Sequence, residues 1–351
     1  MTRAKELPPQ WPGAYEDLIK EWQGLERAQV RQLTLSAGGR PVFALHYGEK
    51  EMVSPSANFN AAVASKQASA FPYRYKRQRP SVLLLAVIHG GEHEGLFGLQ
   101  SLMKLLETNT DLYGREWPEL VELAQRCRLS LVPVVNPDGY VRFTPGSGKL
   151  LSETENARFV TGSFPDGSIP IWPTNKAVHP FPKGGKGFLG AYYNDNGINI
   201  QHDEFFRPMA DETKAILDLV YDEWPNATMH FHTCPHGSCF FDADYTPIEH
   251  FNFASETAQA FSQRMQARGI PDGPLPERNY PSEAAGKPFN LISAVYHATG
   301  SYSLLFETEL GSDFCQHELS FEEIHDTQLI AVSAFLKTTL ENFEERKRAE
   351  A

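Results

Sequence analysis

Cysteine is scarce: the chain of 351 residues has four, Cys127, Cys234, Cys239 and Cys315. That is too few for a disulfide scaffold at this size. No apolar run approaches the length of a membrane span. The opening segment, Met1 to Gln10, lacks the apolar stretch of a secretory leader. These absences predict a cytoplasmic protein with no membrane partner. Basic charge is in deficit too, with 32 Lys and Arg against 44 Asp and Glu and a formal net charge of -12. Nucleic-acid binding calls for a basic surface, so no nucleic-acid partner is expected. No internal repeat is visible. What remains is 41% hydrophobic and 22% charged, the balance of a globular chain rather than a disordered one. The 25 prolines and 26 glycines predict long ordered loops.

Periodicity supplies the elements. Residues 11–28 read as a helix with Tyr15, Leu18, Ile19, Trp22 and Leu25 on one face. Segments 29–35 and 41–47 alternate around Gly38-Gly39 and read as a hairpin. Residues 49–80, ending in the basic cluster 73–79, read as a surface excursion. A strand over 81–88 precedes helices at about 95–107 and 118–126, then a strand over 129–135 and a turn over 136–140. Residues 143–196 show little periodicity; a loop this long inside a domain is usually functional. Helix 210–223, strand 227–233, helix 255–268, helix 288–298, strand 302–306 and helix 321–346 complete the chain. Strands alternating with helices predict an α/β fold with a mixed sheet flanked by helices, in one domain over residues 1–351.

The most informative segment is Ser81-Val-Leu-Leu-Leu-Ala-Val-Ile-His89-Gly-Gly-Glu92-His93-Glu94-Gly95. A buried strand ends in a His and a Glu three residues apart, and the glycines between them allow a sharp turn. Open α/β sheets keep their ligand sites at this C-terminal edge. An imidazole nitrogen and a carboxylate are two of the three protein ligands of a catalytic zinc. The strand Ala227-Thr-Met-His230-Phe-His232-Thr-Cys234-Pro-His236 offers the third. His232 is nearer the strand end; His230, on the same face but deeper, is placed to orient a ligand. The strand from Tyr302 runs into Glu307, with Glu309 two residues on. Either carboxylate is a candidate general base.

These segments resemble the carboxypeptidase A-like zinc peptidases. His89-Gly-Gly-Glu92 looks like their metal motif, Asn136-Pro-Asp-Gly-Tyr140 like the turn after their next strand, and Gly197 to Phe205 like their substrate-binding segment. Asp211 to Ala215, His232, Tyr302 to Glu307 and Gly39 to Leu45 follow in family order. The resemblance implies a mixed, mostly eight-stranded sheet and one zinc held by His89, Glu92 and His232. Glu307 would be general base and acid, with zinc-activated water cleaving a peptide or amide bond. A small peptide or acylated amino acid is the implied substrate.

One departure bears on that substrate. Where the family presents Asp and then Asn-Arg, this chain has Asn199, Gln201 and His202. The family's Asn-Arg pair holds a peptide's C-terminal carboxylate. Histidine is shorter than arginine and lacks its planar fork. Weak activity on free-carboxylate peptides is therefore expected unless Arg207, Arg142 or Arg158 supplies the cation; Arg158 lies where the family keeps an oxyanion-stabilising arginine. Four other readings stand beside this one. His89-x-x-Glu92-His93 also fits an inverted zincin motif, which requires a helix. His232, Cys234, His236 and Cys239 offer a structural zinc site, at a spacing tighter than the usual four-ligand pattern. The scaffold would also serve a zinc amidase or deacylase acting on a non-peptide acyl substrate. A catalytically silent binding protein that lost the anchor arginine is the fourth.

Overall fold

Val82 and Leu84 bury themselves on one side of their strand, and Leu83 and Leu85 on the other. A strand apolar on both faces belongs in the middle of a covered sheet, and there the computed structural model places it. It describes residues 6–53, 56–67, 77–170, 173–177, 180–181, 187–276 and 289–350. The strands are β1 (Gln29–Leu35), β2 (Pro41–Tyr47), β3 (Ser81–Leu85), β4 (Arg128–Val132), β5 (Gly162–Ser163), β6 (Phe188–Leu189), β7 (Ala227–Cys234), β8 (Cys239–Asp242) and β9 (Tyr302–Glu309). Seven of them form one sheet in the order β1-β2-β4-β3-β7-β9-β8, while β5 and β6 pair separately. The resemblance implied mostly eight strands; the described residues put seven in the main sheet. Strands β4, β3, β7 and β9 run parallel, and the outer pairings are antiparallel.

The helices are α1 (Tyr15–Gln23), α2 (Phe59–Ala64), α3 (Glu94–Thr108), α4 (Pro118–Gln125), α5 (Pro137–Arg142), α6 (Glu153–Thr161), α7 (Asp211–Glu223), α8 (Ile248–Arg268), α9 (Leu291–Thr299) and α10 (Phe321–Glu350). Helices α1, α3, α4, α8 and α10 pack with Val82, Leu84, Met229, Phe231 and Phe306 in one core. Helices α7 and α9 pack with Leu83 and Leu85 in the other. The α/β architecture read from the alternation of elements is thus the one observed. Among the described residues, no helix is long and apolar enough to cross a membrane.

Local departures have local causes. The first helix spans Tyr15–Gln23 rather than 11–28: Pro12 and Gly13 precede it and Gly24 ends it. The turn at 136–140 is the short helix α5, capped by the Asn136 side chain, which accepts from the Gly139 amide at 2.9 Å. Helix α8 begins seven residues before position 255, and β8 was unforeseen; a four-residue strand carries too little pattern. In the long loop region, α6 is fixed by a capping box between Ser152 and Glu155. The 49–80 excursion is pinned at its ends. The Glu51 carboxylate accepts the Gln78 and Arg79 amides, and Arg77 donates to the Glu223 and Trp224 carbonyls. Most of the basic cluster, 73–76, lies outside the described residues.

Candidate active site

Strand β3 stops at Leu85, and Val87 turns the chain with φ 51°, an uncommon conformation for a β-branched residue and one that recurs at functional sites. Two glycines then bring loops into backbone contact. A Cβ on Gly90 would collide with the Gly139 backbone, and one on Gly139 with the Ala191 carbonyl. The Gly90 amide donates to that same carbonyl at 2.8 Å. Asp138, fully buried, accepts from Ser36 Oγ, the Gly38 amide, Arg40 and the Asp195 amide. The Asn-Pro-Asp-Gly turn therefore ties the 36–40 hairpin, the His89 loop and the 190–195 loop together. That joint sets Tyr192 flat on the His89 ring, with centroids 3.8 Å apart and planes at 15°.

On this frame His89, Glu92 and His232 converge. His89 Nδ1 lies 2.9 Å from Glu92 Oε1, His232 Nδ1 lies 2.9 Å from Glu92 Oε2, and the two Nδ1 atoms are 3.2 Å apart. Among the described residues they form the one group of His, Cys, Asp and Glu able to hold a metal ion. A tetrahedral zinc with nitrogen ligands at about 2.1 Å holds them roughly 3.4 Å apart, so the spacing fits. The chemistry fits too. Two ring nitrogens facing each other and a carboxylate make a buried site short of a cation. Burial disfavours the His232 cation, yet Glu92 outweighs burial and raises its pKa. In His89 burial prevails over Glu92, and the pKa falls. A metal ion bound among these groups would take the place of any proton on them.

Glu307 stands directly opposite His232 in the parallel register of β7 and β9. Burial raises its carboxyl to about 7, with Glu92 adding to the rise and His232 and Lys176 opposing it. Its Oε2, together with His232 Nε2, Asn199 Nδ2 and Gln201 Oε1, is buried without a hydrogen-bond partner among the described residues. These four atoms are open to a hydrogen bond from water or from a bound molecule. Glu309, the alternative base, is committed elsewhere: its two oxygens take the His317 amide at 2.6 Å and His317 Nδ1 at 2.8 Å.

The other candidates sort as follows. Gln201 is buried and His202 half-buried on a 3-10 turn, Ile200–His202, capped by the Asn199 side chain. Arg158 and Arg207 are exposed. Arg142 is committed to the Gly190 and Tyr193 carbonyls and to Asp195, so it is no free anchor. His93 turns away from the metal group and sets Nε2 2.9 Å from the Gly90 carbonyl oxygen, against the inverted-zincin reading. His230 Nε2 meets Ser303 Oγ at 3.1 Å rather than any ligand. Cys234, His236 and Cys239 join no metal group, and Cys239 pairs across the sheet with Glu307. Sequence reading missed Tyr192, Asn175 and Lys176, because they lie in the aperiodic loop region and no spacing rule points to them.

Comparison with known proteins agrees with this geometry. Residues 17–163 match the model of a family described as zinc carboxypeptidase. Carboxypeptidase D of Mus musculus is 26% identical over 152 residues, covering 41% of this chain and 11% of that protein. The chain thus spans about a tenth of the length of the curated relatives it matches. A metallo-carboxypeptidase from Burkholderia cenocepacia superposes with a TM-score of 0.60 at 16% identity, covering 94% of this chain and 70% of the other. Bovine thrombin-activatable fibrinolysis inhibitor, in complex with a tick carboxypeptidase inhibitor, gives 0.56 at 14% identity, covering 95% and 99%. His89 and Glu92 fall inside the matched segment 17–163, whereas His232 and Glu307 are brought to them by the fold. The resemblance read from the motifs is therefore met: the chain shares the fold of the metallo-carboxypeptidases it superposes on and, over residues 17–163, is similar in sequence to the family described as zinc carboxypeptidase.

Proposed function

We propose that this chain is a zinc-dependent hydrolase of peptide or amide bonds, a metallocarboxypeptidase holding one zinc on His89, Glu92 and His232. One observation carries the reading: the three converge at the sheet edge with Glu307 beside His232. When bound there, zinc polarises the scissile carbonyl and lowers the pKa of a water molecule. The remaining work falls to the chain. Glu307 takes a proton on its unpartnered Oε2 and returns it to the leaving nitrogen. Tyr192 fixes the His89 ring by stacking, and Asn199 beside that ring caps the turn that presents Gln201 and His202.

The test is release of C-terminal amino acids from a peptide library by zinc-loaded protein. Chelation should abolish release and Glu307→Gln should suppress it. Hydrolysis insensitive to chelator would sink the reading. An amidase or deacylase acting on acylated amino acids is the second reading, favoured by Gln201 and His202 standing where the family keeps Asn-Arg. Selective cleavage of amidated or acylated substrates would establish it.

A further inference from the structure

The anchor position at His202 leaves a specific gap. With zinc bound, its two positive charges would be balanced by Glu92 and an ionised Glu307. A substrate carboxylate entering that site needs a cation from the chain. Arg158 and Arg207 are exposed and Arg142 is committed. Among the described residues, the cation whose charge reaches both Glu307 and His232 is Lys176.

Lys176 lies on the 3-10 helix Thr174–Ala177 and is half-buried. Its neighbour Asn175 is 1% exposed, and neither Oδ1 nor Nδ2 has a partner among the described residues. A buried amide with both ends unsatisfied is costly unless a ligand or an ordered water completes it. The turn is tied to the site: Tyr193 Oη donates to the Asn175 carbonyl at 3.3 Å, and the adjacent Tyr192 stacks on His89. An amide donor followed by a cation thus reappears on a different segment from the one in which Gln201 and His202 stand.

We propose that Asn175 and Lys176, rather than Gln201 and His202, receive the free α-carboxylate of the substrate's C-terminal residue. This rests on reading the site as a hydrolase. Lysine meets a carboxylate as a point charge where arginine would grip it with a fork, which predicts a looser preference than an arginine anchor gives.

The test compares binding with turnover. Propanoic acids carrying a phenyl, isopropyl, carboxyl or amino group at C3 are titrated calorimetrically as free acids and as primary amides. Zinc-loaded and metal-free protein are both used, in native form and as Lys176→Met, Lys176→Arg and Asn175→Asp. We expect native protein to favour at least one acid over its amide by about 10- to 100-fold, the worth of a charge-assisted contact. Lys176→Met should abolish that ratio, Lys176→Arg should keep it, and Asn175→Asp should weaken the acid alone. A merely structural role would weaken acid and amide together, and that result overturns the proposal. So does a native protein that binds every acid and amide equally, or a preference lost in Arg158→Gln or Arg207→Gln but kept in Lys176→Met. Peptide hydrolysis by the same preparations is scored separately. A Lys176-dependent acid preference without turnover overturns the hydrolase reading alone; turnover with a Lys176-independent preference overturns the anchor alone.

Discussion

His232 and Glu307 face each other across the parallel pair β7 and β9, one candidate metal ligand and one candidate proton carrier in the same register. Neither can shift along its strand without the other, because eight consecutive residue pairs lock the two strands. The roles are nevertheless separable by mutation. His232→Ala should lower zinc affinity by more than about 10²-fold, since even a residue that only orients a ligand is worth up to that. His93→Ala should keep its zinc, because His93 hydrogen-bonds the Gly90 carbonyl and not the metal group. Elemental analysis of the purified variants decides. Full metal in His232→Ala together with loss in His93→Ala would overturn the assignment.

Glu307→Gln keeps the shape and removes the proposed proton carrier. Zinc content should be unchanged and turnover should drop by about 10²-fold or more. Glu309→Gln is the control for a carboxylate two residues away. It weakens the pairing with His317, so its effect should appear as about 1–3 kcal/mol of lost stability, read by denaturant titration. A larger fall in turnover for Glu309→Gln than for Glu307→Gln would exchange the roles.

How much of this was legible in the sequence follows from what each part depends on. The strand cores and the helix alternation were readable because period-2 and period-3.6 patterns survive in the sequence. His89 and Glu92 were readable because their geometry is local, three residues apart on one turn. His232 and Glu307 were readable as strand-end residues, but their pairing is a register between distant segments. Arg142 as an anchor failed for a related reason: its carbonyl partners at Gly190 and Tyr193 are set by the 190–195 loop, which has no periodic signal. Asn175 and Lys176 were invisible on the same ground. A tertiary hydrogen bond from Tyr193 ties Asn175 to the 190–195 loop, and no spacing in the sequence announces it.

The glycines at the loop junction give a sharper test of the frame. Gly90→Ala would drive a Cβ into the Gly139 backbone, where no flexible side chain can give way. The loop must move, at about 1–3 kcal/mol for overpacking, and His89 moves with it. Gly90→Ala should therefore lose both stability and zinc affinity. Gly39→Ala, at an open position with φ 78°, should lose stability and leave zinc binding intact. Thermal melts paired with zinc titration separate the two. Equal zinc affinity in Gly90→Ala and native protein would show that the loop contact does not hold the site.

Buried titratable groups away from His89, Glu92 and His232 make opposite demands on pH. His46 is lowered by burial from 6.5 to about 4, despite Glu223 nearby. Between those values the unfolded chain binds its proton and the folded protein does not. His46 therefore contributes stability that is full above about 6.5 and is lost as pH falls toward 4, about 3 kcal/mol in all. Glu212 runs the other way. Burial raises it from 4.5 to about 7, against the amide of Ala37 and the side chain of Asn194. The stability tied to its proton is full below about 4.5 and is lost, by about 3 kcal/mol, as pH rises through 7. In the whole protein these slopes offset each other, so the differences between variants carry the signal. Against native metal-free protein, the cost of His46→Gln should shrink as pH falls from 7.5 to 4. The cost of Glu212→Gln should shrink as pH rises over the same span. Urea midpoints at four pH values, converted to free energies, measure both. Parallel curves for either variant and the native protein would show that the residue keeps its ordinary pKa in the fold.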